Sequence, residues 1–160
     1  VHTVLRNGEN TPLTVGQIAA HLHTKDWNVT RELQIGLRDR LARRPSRRLA
    51  GDKVLGEGVG AGGQWRVDRE IYLTWLGIAP EDRAHLGPDG LPELVPFSQA
   101  AEKLDIAEDE LRRRVRAERR THIAFGRMRY LTHNQLERLR VQLIEDCREA
   151  TPGQKPPDLQ

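Results

Sequence analysis

The 160-residue sequence predicts a mainly α-helical fold with small β-hairpins, laid out as two related modules in tandem. Three observations carry this expectation. The helix-start signature T-x-x-Q occurs at Thr14/Gln17 and again at Thr132/Gln135. The hexapeptide QIAAHL (Gln17–Leu22) returns as QAAEKL (Gln99–Leu104), 82 residues later. In each half, two short extended runs around a glycine-containing tip lead directly into a further helix start.

The first helix is the most sharply signalled. Thr14 and Gln17 form a capping box, and Leu13 and Ile18 occupy the flanking staple positions. The helix runs through Ala19 and Leu22 and is expected to stop near His23. A second helix is read from Val29, Leu33, Leu37 and Leu41 at i, i+4 spacing, with Asn28 as its cap. It ends before Pro45, because a residue ahead of proline is pushed out of the helical region.

Arg48–Leu55 and Gln64–Val67 then read as a hairpin, with five glycines between Gly56 and Gly63 at its tip. Asp68 caps a third helix, Arg69–Leu76, with Val67 and Tyr72 as its staple. Residues 80–95 hold Pro80, Pro88 and Pro92 with Gly87 and Gly90, lack periodicity, and are expected to be a linker with at most one packed turn.

The second half repeats this order in shortened form. Leu33 and Leu37 match Leu111 and Val115 at an offset of 78, and Val67-Asp68 matches Leu131-Thr132 at an offset of 64. The falling offset makes the first copy longer by four residues before its second helix and by fourteen after it. The second hairpin is therefore short, Ile123–Phe125 with Met128–Leu131 around Gly126-Arg127. A last helix follows from the Thr132/Gln135 capping box, with Leu131 and Leu136 as staple, through Leu139, Leu143 and Cys147. The expected organisation is a module over 12–79, a linker over 80–95, a module over 96–150 and a disordered tail over 151–160, which carries three prolines.

Charge distribution says more than the net +3. From Arg31 to Lys53 there are eight basic and three acidic residues, and from Arg112 to Arg129 eight basic and one acidic. Between Glu81 and Glu110 the balance reverses to nine acidic and two basic. Two basic blocks are candidate polyanion surfaces, although a solvated helix face gives the same pattern. Arg outnumbers Lys 22 to 4, which suits bidentate contacts to phosphate and guanine and equally suits a GC-rich genome.

With Leu33 and Leu37 inward, Thr30, Arg31, Gln34 and Arg38 fall on or beside the outer face of the second helix. Arg31 can pair with guanine and Gln34 with adenine, both bidentate. Arg47, Arg48, Lys53 and Arg66 are candidates for phosphate contacts from the first hairpin region. In the second module Arg112, Arg113, Arg116, Arg127 and Arg129 suit phosphates or a groove. Glu108, Asp109 and Glu110 complicate that helix, since they complement its dipole but repel phosphate.

Each copy reads helix, turn, helix, hairpin, helix. In this order LTVGQIAAHL, QWRVDREIYLTWL and THIAFGRMRYLTHNQLERL resemble the winged helix-turn-helix modules of the excisionase and MerR-like family, over about residues 12–79 and 95–145. The first copy departs from that pattern in its enlarged second helix and long glycine-rich hairpin tip. The resemblance implies two winged helix-turn-helix modules in tandem, each with its second helix in the major groove and its wing on the backbone or minor groove. It also implies double-stranded DNA as partner. The function expected is sequence-specific DNA binding in transcription regulation. An excisionase-like architectural factor working with a recombinase is the alternative within DNA binding. A protein-interaction adaptor, docking RNA polymerase or another protein, is the alternative outside it.

Other chemistry is set aside. Gly58-Val59-Gly60-Ala61-Gly62-Gly63 matches G-x-G-x-x-G, but it leads into a strand-like, basic run and not into the helix that a pyrophosphate site needs. His21 and His23 lack a finger-spaced partner, so no metal or other cofactor is expected. Trp27, Trp65 and Trp75 sit among apolar neighbours and are expected in the core. Aromatic residues make up 4% of the chain, too few for an RNA-stacking surface. No catalytic constellation emerges, and an enzyme is not expected. No run nears the roughly 18 apolar residues of a spanning helix. The opening VHTVLRNGENTP lacks a secretory layout, and a single cysteine, Cys147, suits a reducing interior. A cytoplasmic, nucleoid-associated protein without membrane contact is the expectation, with the true start unknown because Val1 is not an initiator Met.

Overall fold

The computed structural model describes residues 11–54, 63–117 and 122–153. The chain divides into two compact units, Val1–Glu93 and Leu94–Gln160. Among the described residues it is mainly helical, with two small antiparallel sheets.

In the first unit, helix α1 (Val15–His21) starts at the expected capping box. The Gln17 N–H donates to Thr14 Oγ1 at 3.2 Å and the Thr14 N–H donates to Gln17 Oε1 at 2.8 Å, which satisfies two of the donors a helix start leaves open. Leu13 and Ile18 are both buried, as a staple requires. His23 takes the left-handed conformation and the Thr24 N–H returns to the Ala19 carbonyl, so the turn closes at once.

Helix α2 (Asp26–Leu41) therefore begins two residues before the expected cap. Asn28 lies inside it, and its Nδ2 donates to Thr24 Oγ1 at 2.8 Å, bracing the turn instead of capping the helix. Val29 and Leu33 are buried, Leu37 is half-buried, and Leu41 is 75% exposed. At 3.6 residues per turn each i, i+4 step drifts by about 40°, so Leu41 has rotated off the core stripe. Gly36 is buried in its place, against the Leu49 carbonyl and the Arg48 Cβ.

Strands β1 (Asp52–Val54) and β2 (Gln64–Arg66) pair antiparallel, with Lys53 opposite Trp65. Only three residues of the extended run expected over Arg48–Leu55 are strand; Leu55 and most of the glycine-rich tip lie outside the described residues. Beyond β2, Val67 bridges Leu13, and Asp68 Oδ1 accepts from the N–H groups of Glu70 and Ile71 to cap α3 (Arg69–Leu76). Gly77, at φ +82°, ends that helix in a conformation glycine adopts without strain.

The expected linker is folded structure. Pro80–Ala84 is a 3-10 turn, Leu86 bridges Pro92, and Leu91 is buried. Arg69 Nη1 donates to the Gly90 carbonyl at 3.0 Å, and His21 reaches the Pro92 carbonyl at 2.6 Å. Proline and glycine shape this segment, while contacts distant in sequence hold it on the first unit.

In the second unit, β3 (Leu94–Pro96), β4 (Ile123–Phe125) and β5 (Met128–Thr132) form a sheet of order β3-β5-β4. Leu94 and Val95, at the end of the expected linker, are thus strand residues. Helices α4 (Phe97–Leu104), α5 (Glu108–Ala117) and α6 (His133–Gly153) pack with the sheet. Their core joins Val95, Phe97, Ala100, Ala101, Leu104, Leu111, Val115, Leu131, Leu136 and Leu139. The Thr132/Gln135 capping box is present at α6, with bonds of 2.9 and 3.2 Å. That helix continues through Thr151–Gly153, inside the expected disordered tail. Residues 154–160 lie outside the described residues.

The internal repeat has a structural counterpart. Leu13 pairs with Val67 and Val95 with Leu131. Leu13 and Val95 differ by the same 82 residues, and Val67 and Leu131 by the same 64, as the sequence repeat. Ile18 and Ala100, Leu22 and Leu104, Leu33 and Leu111, and Tyr72 and Leu136 are buried at matching offsets.

Candidate nucleic-acid interface

The first unit carries a concavity of about 540 Å³ between the start of α1, the outward side of α2 and the β1–β2 hairpin. Four residues singled out in the sequence line it together: Thr30 and Gln34 from α2, Lys53 from β1 and Arg66 from β2. The hairpin presents its cations in fixed positions. Lys53 Nζ lies 5.4 Å from the centroid of the Trp65 ring, a cation–π distance, and Arg66 Nη1 donates to the Trp65 carbonyl at 3.1 Å. Trp65 itself is 6% exposed and anchors the strand. Asp26, at the first turn of α2, adds one carboxylate to the rim, where it complements the helix dipole.

Arg31 and Arg38 are exposed on α2 beyond the residues that line the concavity. Arg47 is exposed, and its carbonyl accepts from the Trp75 indole N–H at 2.9 Å. Arg48 has an internal partner: its Nη1 donates to Glu32 Oε1 at 3.0 Å, while Glu32 Oε2 accepts from the Leu49 N–H at 3.1 Å. Glu32 thereby clamps the segment leading into the hairpin against α2. The phosphate role expected of Arg48 competes with this contact.

In the second unit the arginines of α5 close on carboxylates. Arg112 Nη2 donates to Glu108 at 2.8 Å, Arg113 pairs with Glu110, and Arg114 bridges Glu110 at 2.8 Å and Asp146 at 3.1 Å. Hydrogen bonds from Arg113 and Arg114 hold the Glu110 carboxyl below its usual range. The bond from Arg114, with a second from Gln142, does the same for Asp146, and Arg114 is raised in turn, chiefly by Asp146. The acidic start of α5 is thus the counter-charge of its own basic face, at the i+3 and i+4 spacing where helix side chains meet. Arg116 and Arg127 are exposed, and Arg129 Nη1 donates to the carbonyls of Gly126 and Met128.

Two features escaped the sequence. His21 is buried, with Nδ1 2.6 Å from the Tyr72 hydroxyl and Nε2 2.6 Å from the Pro92 carbonyl. A carbonyl can only accept, so Nε2 carries the proton and Nδ1 accepts from Tyr72. Burial lowers the His21 pKa, because the charged ring would lose its hydration. The opposite case is Tyr130, whose hydroxyl is pushed up to about 12 by burial. The second feature is Trp27. It is 62% exposed, against the expectation of a core position, because it stands on the side of α2 opposite Val29 and Leu33. Trp75 meets the expectation better, half-buried and stacked on Tyr72 with centroids 6.3 Å apart.

Among the described residues no three His, Cys, Asp or Glu side chains gather as metal ligands, and no helix is long and apolar enough to cross a membrane. No protein-family model matches the chain, and neither a curated protein nor a solved structure does.

Proposed function

We propose that the chain is a sequence-specific double-stranded DNA-binding protein, a transcriptional regulator built from two winged helix-turn-helix modules in tandem. The observation that carries this reading is the concavity that joins the outward side of α2 to a hairpin bearing Lys53 and Arg66. A helix fits the roughly 12 Å major groove, and its early outward residues reach base edges while a hairpin beside it meets phosphates. In that pose Thr30, Arg31, Gln34 and Arg38 face the bases, and Lys53 and Arg66 face the backbone. Asp26 is placed to accept from a cytosine amine, a base contact that also tempers non-specific attraction.

The two modules divide the work. The α5 arginines spend much of their charge on Glu108, Glu110 and Asp146. The second module therefore contributes mainly backbone contacts, from Arg116 and Arg127. Two non-identical modules on one chain read an asymmetric site as a monomer, whereas a two-fold dimer prefers a palindrome.

Two substitutions test the assignment. Arg31→Ala should relax the preference at one base position and cost about 1–3 kcal/mol on the preferred duplex. Lys53→Ala should weaken binding to every duplex and lower the salt slope by about one. Equal effects of both variants on preferred and random duplexes would overturn the division between base and phosphate contacts.

A further inference from the structure

The outward face of α2 carries a large apolar side chain that the fold does not use. Trp27 is 62% exposed, while Trp65 is 6% exposed. Trp27, Arg31, Gln34 and Arg38 follow one another at i, i+4, i+7 and i+11, which places them on one stripe of the helix. Val29, Leu33 and Gly36 bury the opposite side. Trp27 also adjoins the concavity, since Asp26 before it and Thr30 one turn after it both line that space.

An exposed indole at the head of a helix stripe that continues with the exposed Arg31 and Arg38 suits a partner that is a polyanion with an apolar feature. In the major groove of a duplex the base edges are donors and acceptors, apart from the 5-methyl group of thymine. An aromatic side chain also brings large contact area at small cost in side-chain freedom. We infer that Trp27 is a specificity residue, packing its indole on the 5-methyl group of one thymine and so fixing that base in the recognised site. The inference rests on the DNA-binding reading and adds to it a base identity and a residue outside the hydrogen-bonding set.

The experiment uses the full chain and a duplex enriched from a random library, with each thymine replaced in turn by deoxyuridine, which lacks only the methyl group. At one position the replacement should weaken binding by the wild-type chain about four-fold, the worth of one buried methyl group. The same replacement should leave Trp27→Ala binding unchanged, and Trp27→Ala should bind the unmodified duplex at least about four-fold more weakly. Trp27→Phe should recover part of that loss and part of the methyl effect. Because the side chain is exposed, both variants should unfold at the wild-type temperature, which thermal denaturation checks. Wild-type affinity in Trp27→Ala, or a uracil penalty that persists in it, overturns this inference while leaving DNA binding intact. A chain that enriches no duplex fails the DNA-binding reading itself, and this inference with it.

Discussion

Gly36 decides how closely the segment leading into the hairpin approaches helix α2, and Gly36→Ala tests it. By helix propensity alone the change should stabilise, since alanine in a helix interior is favoured over glycine by about 0.8–1.0 kcal/mol. The structure reverses that sign. A Cβ at Gly36 would stand 2.9 Å from the Leu49 carbonyl oxygen and 3.1 Å from the Arg48 Cβ. Neither neighbour is the free end of a flexible side chain. Leu49 is buried, and Glu32 pins its N–H and the Arg48 guanidinium from the same helix. Overpacking of this kind costs about 1–3 kcal/mol, so the propensity gain is cancelled at the least, and a net loss of up to about 2 kcal/mol is expected. Gly16→Ala is the internal control, because a Cβ there meets only Thr14 Oγ1, at 3.9 Å. It should stabilise by up to about 1 kcal/mol. Urea denaturation followed by far-ultraviolet circular dichroism measures both. Equal stabilisation by the two substitutions would refute the close packing of α2 on residues 48–49.

Glu32→Ala leaves the buried Leu49 N–H and the Arg48 guanidinium without their acceptor, and should cost about 1–3 kcal/mol in the same urea assay; an unchanged midpoint would remove the clamp. His21 makes stability depend on mildly acidic pH. Its folded pKa lies below the unfolded value of 6.5, so below pH 6.5 the unfolded chain takes up a proton that the folded chain refuses. Stability should then fall with acidification by up to about 1.4 kcal/mol per pH unit until the folded pKa is reached. The contributions of Glu110 and Asp146 have the opposite origin: their lowered pKa values stabilise above the unfolded carboxylate range and are lost only as pH falls through the folded values. Denaturation between pH 6.5 and 5.5 therefore isolates the histidine, and His21→Phe should flatten the profile; a flat wild-type profile would contradict the buried neutral ring. Thr132→Ala removes half of the α6 capping box and should cost about 1 kcal/mol in thermal or urea denaturation, with a null effect refuting the cap.

Local signals in the sequence carried most of the element order. The Thr14 and Thr132 capping boxes, the Asp68 cap and the short Ile123–Phe125 hairpin arm all rest on residues within four positions of one another, and each is present in the structure. What sequence could not supply depends on contacts made across long separations. The segment 80–93 looks like a linker because its order comes from Arg69 and His21, distant in the chain. His21 lacked a visible partner because Tyr72 and Pro92 stand 51 and 71 residues away. The start of α2 moved because a left-handed His23 closed the turn early, which a propensity for Asn at helix caps does not foresee.

The candidate interface was legible in part. Thr30, Gln34, Lys53 and Arg66 come from three elements and meet at one concavity, as the periodicity of α2 and the hairpin reading imply. Two side chains resisted such reading. Arg48 counts as a free cation in a charge tally, yet its guanidinium is held by Glu32, sixteen positions earlier. Trp27 reads as core by composition, and only the helix register, set by Val29 and Leu33, turns it outward. In α5 the signal lay in the spacing itself: Glu108–Arg112 and Glu110–Arg114 are i, i+4 pairs, and such pairs along a helix discount its basic charge.

Selection of bound duplexes from a random double-stranded library by the full chain, at about 150 mM salt, tests the central claim most directly. The account predicts enrichment of a single asymmetric motif, longer than one helical turn, with a thymine whose methyl group matters. Binding that enriches no sequence and vanishes as salt rises would contradict it, leaving only a phosphate-seeking basic surface.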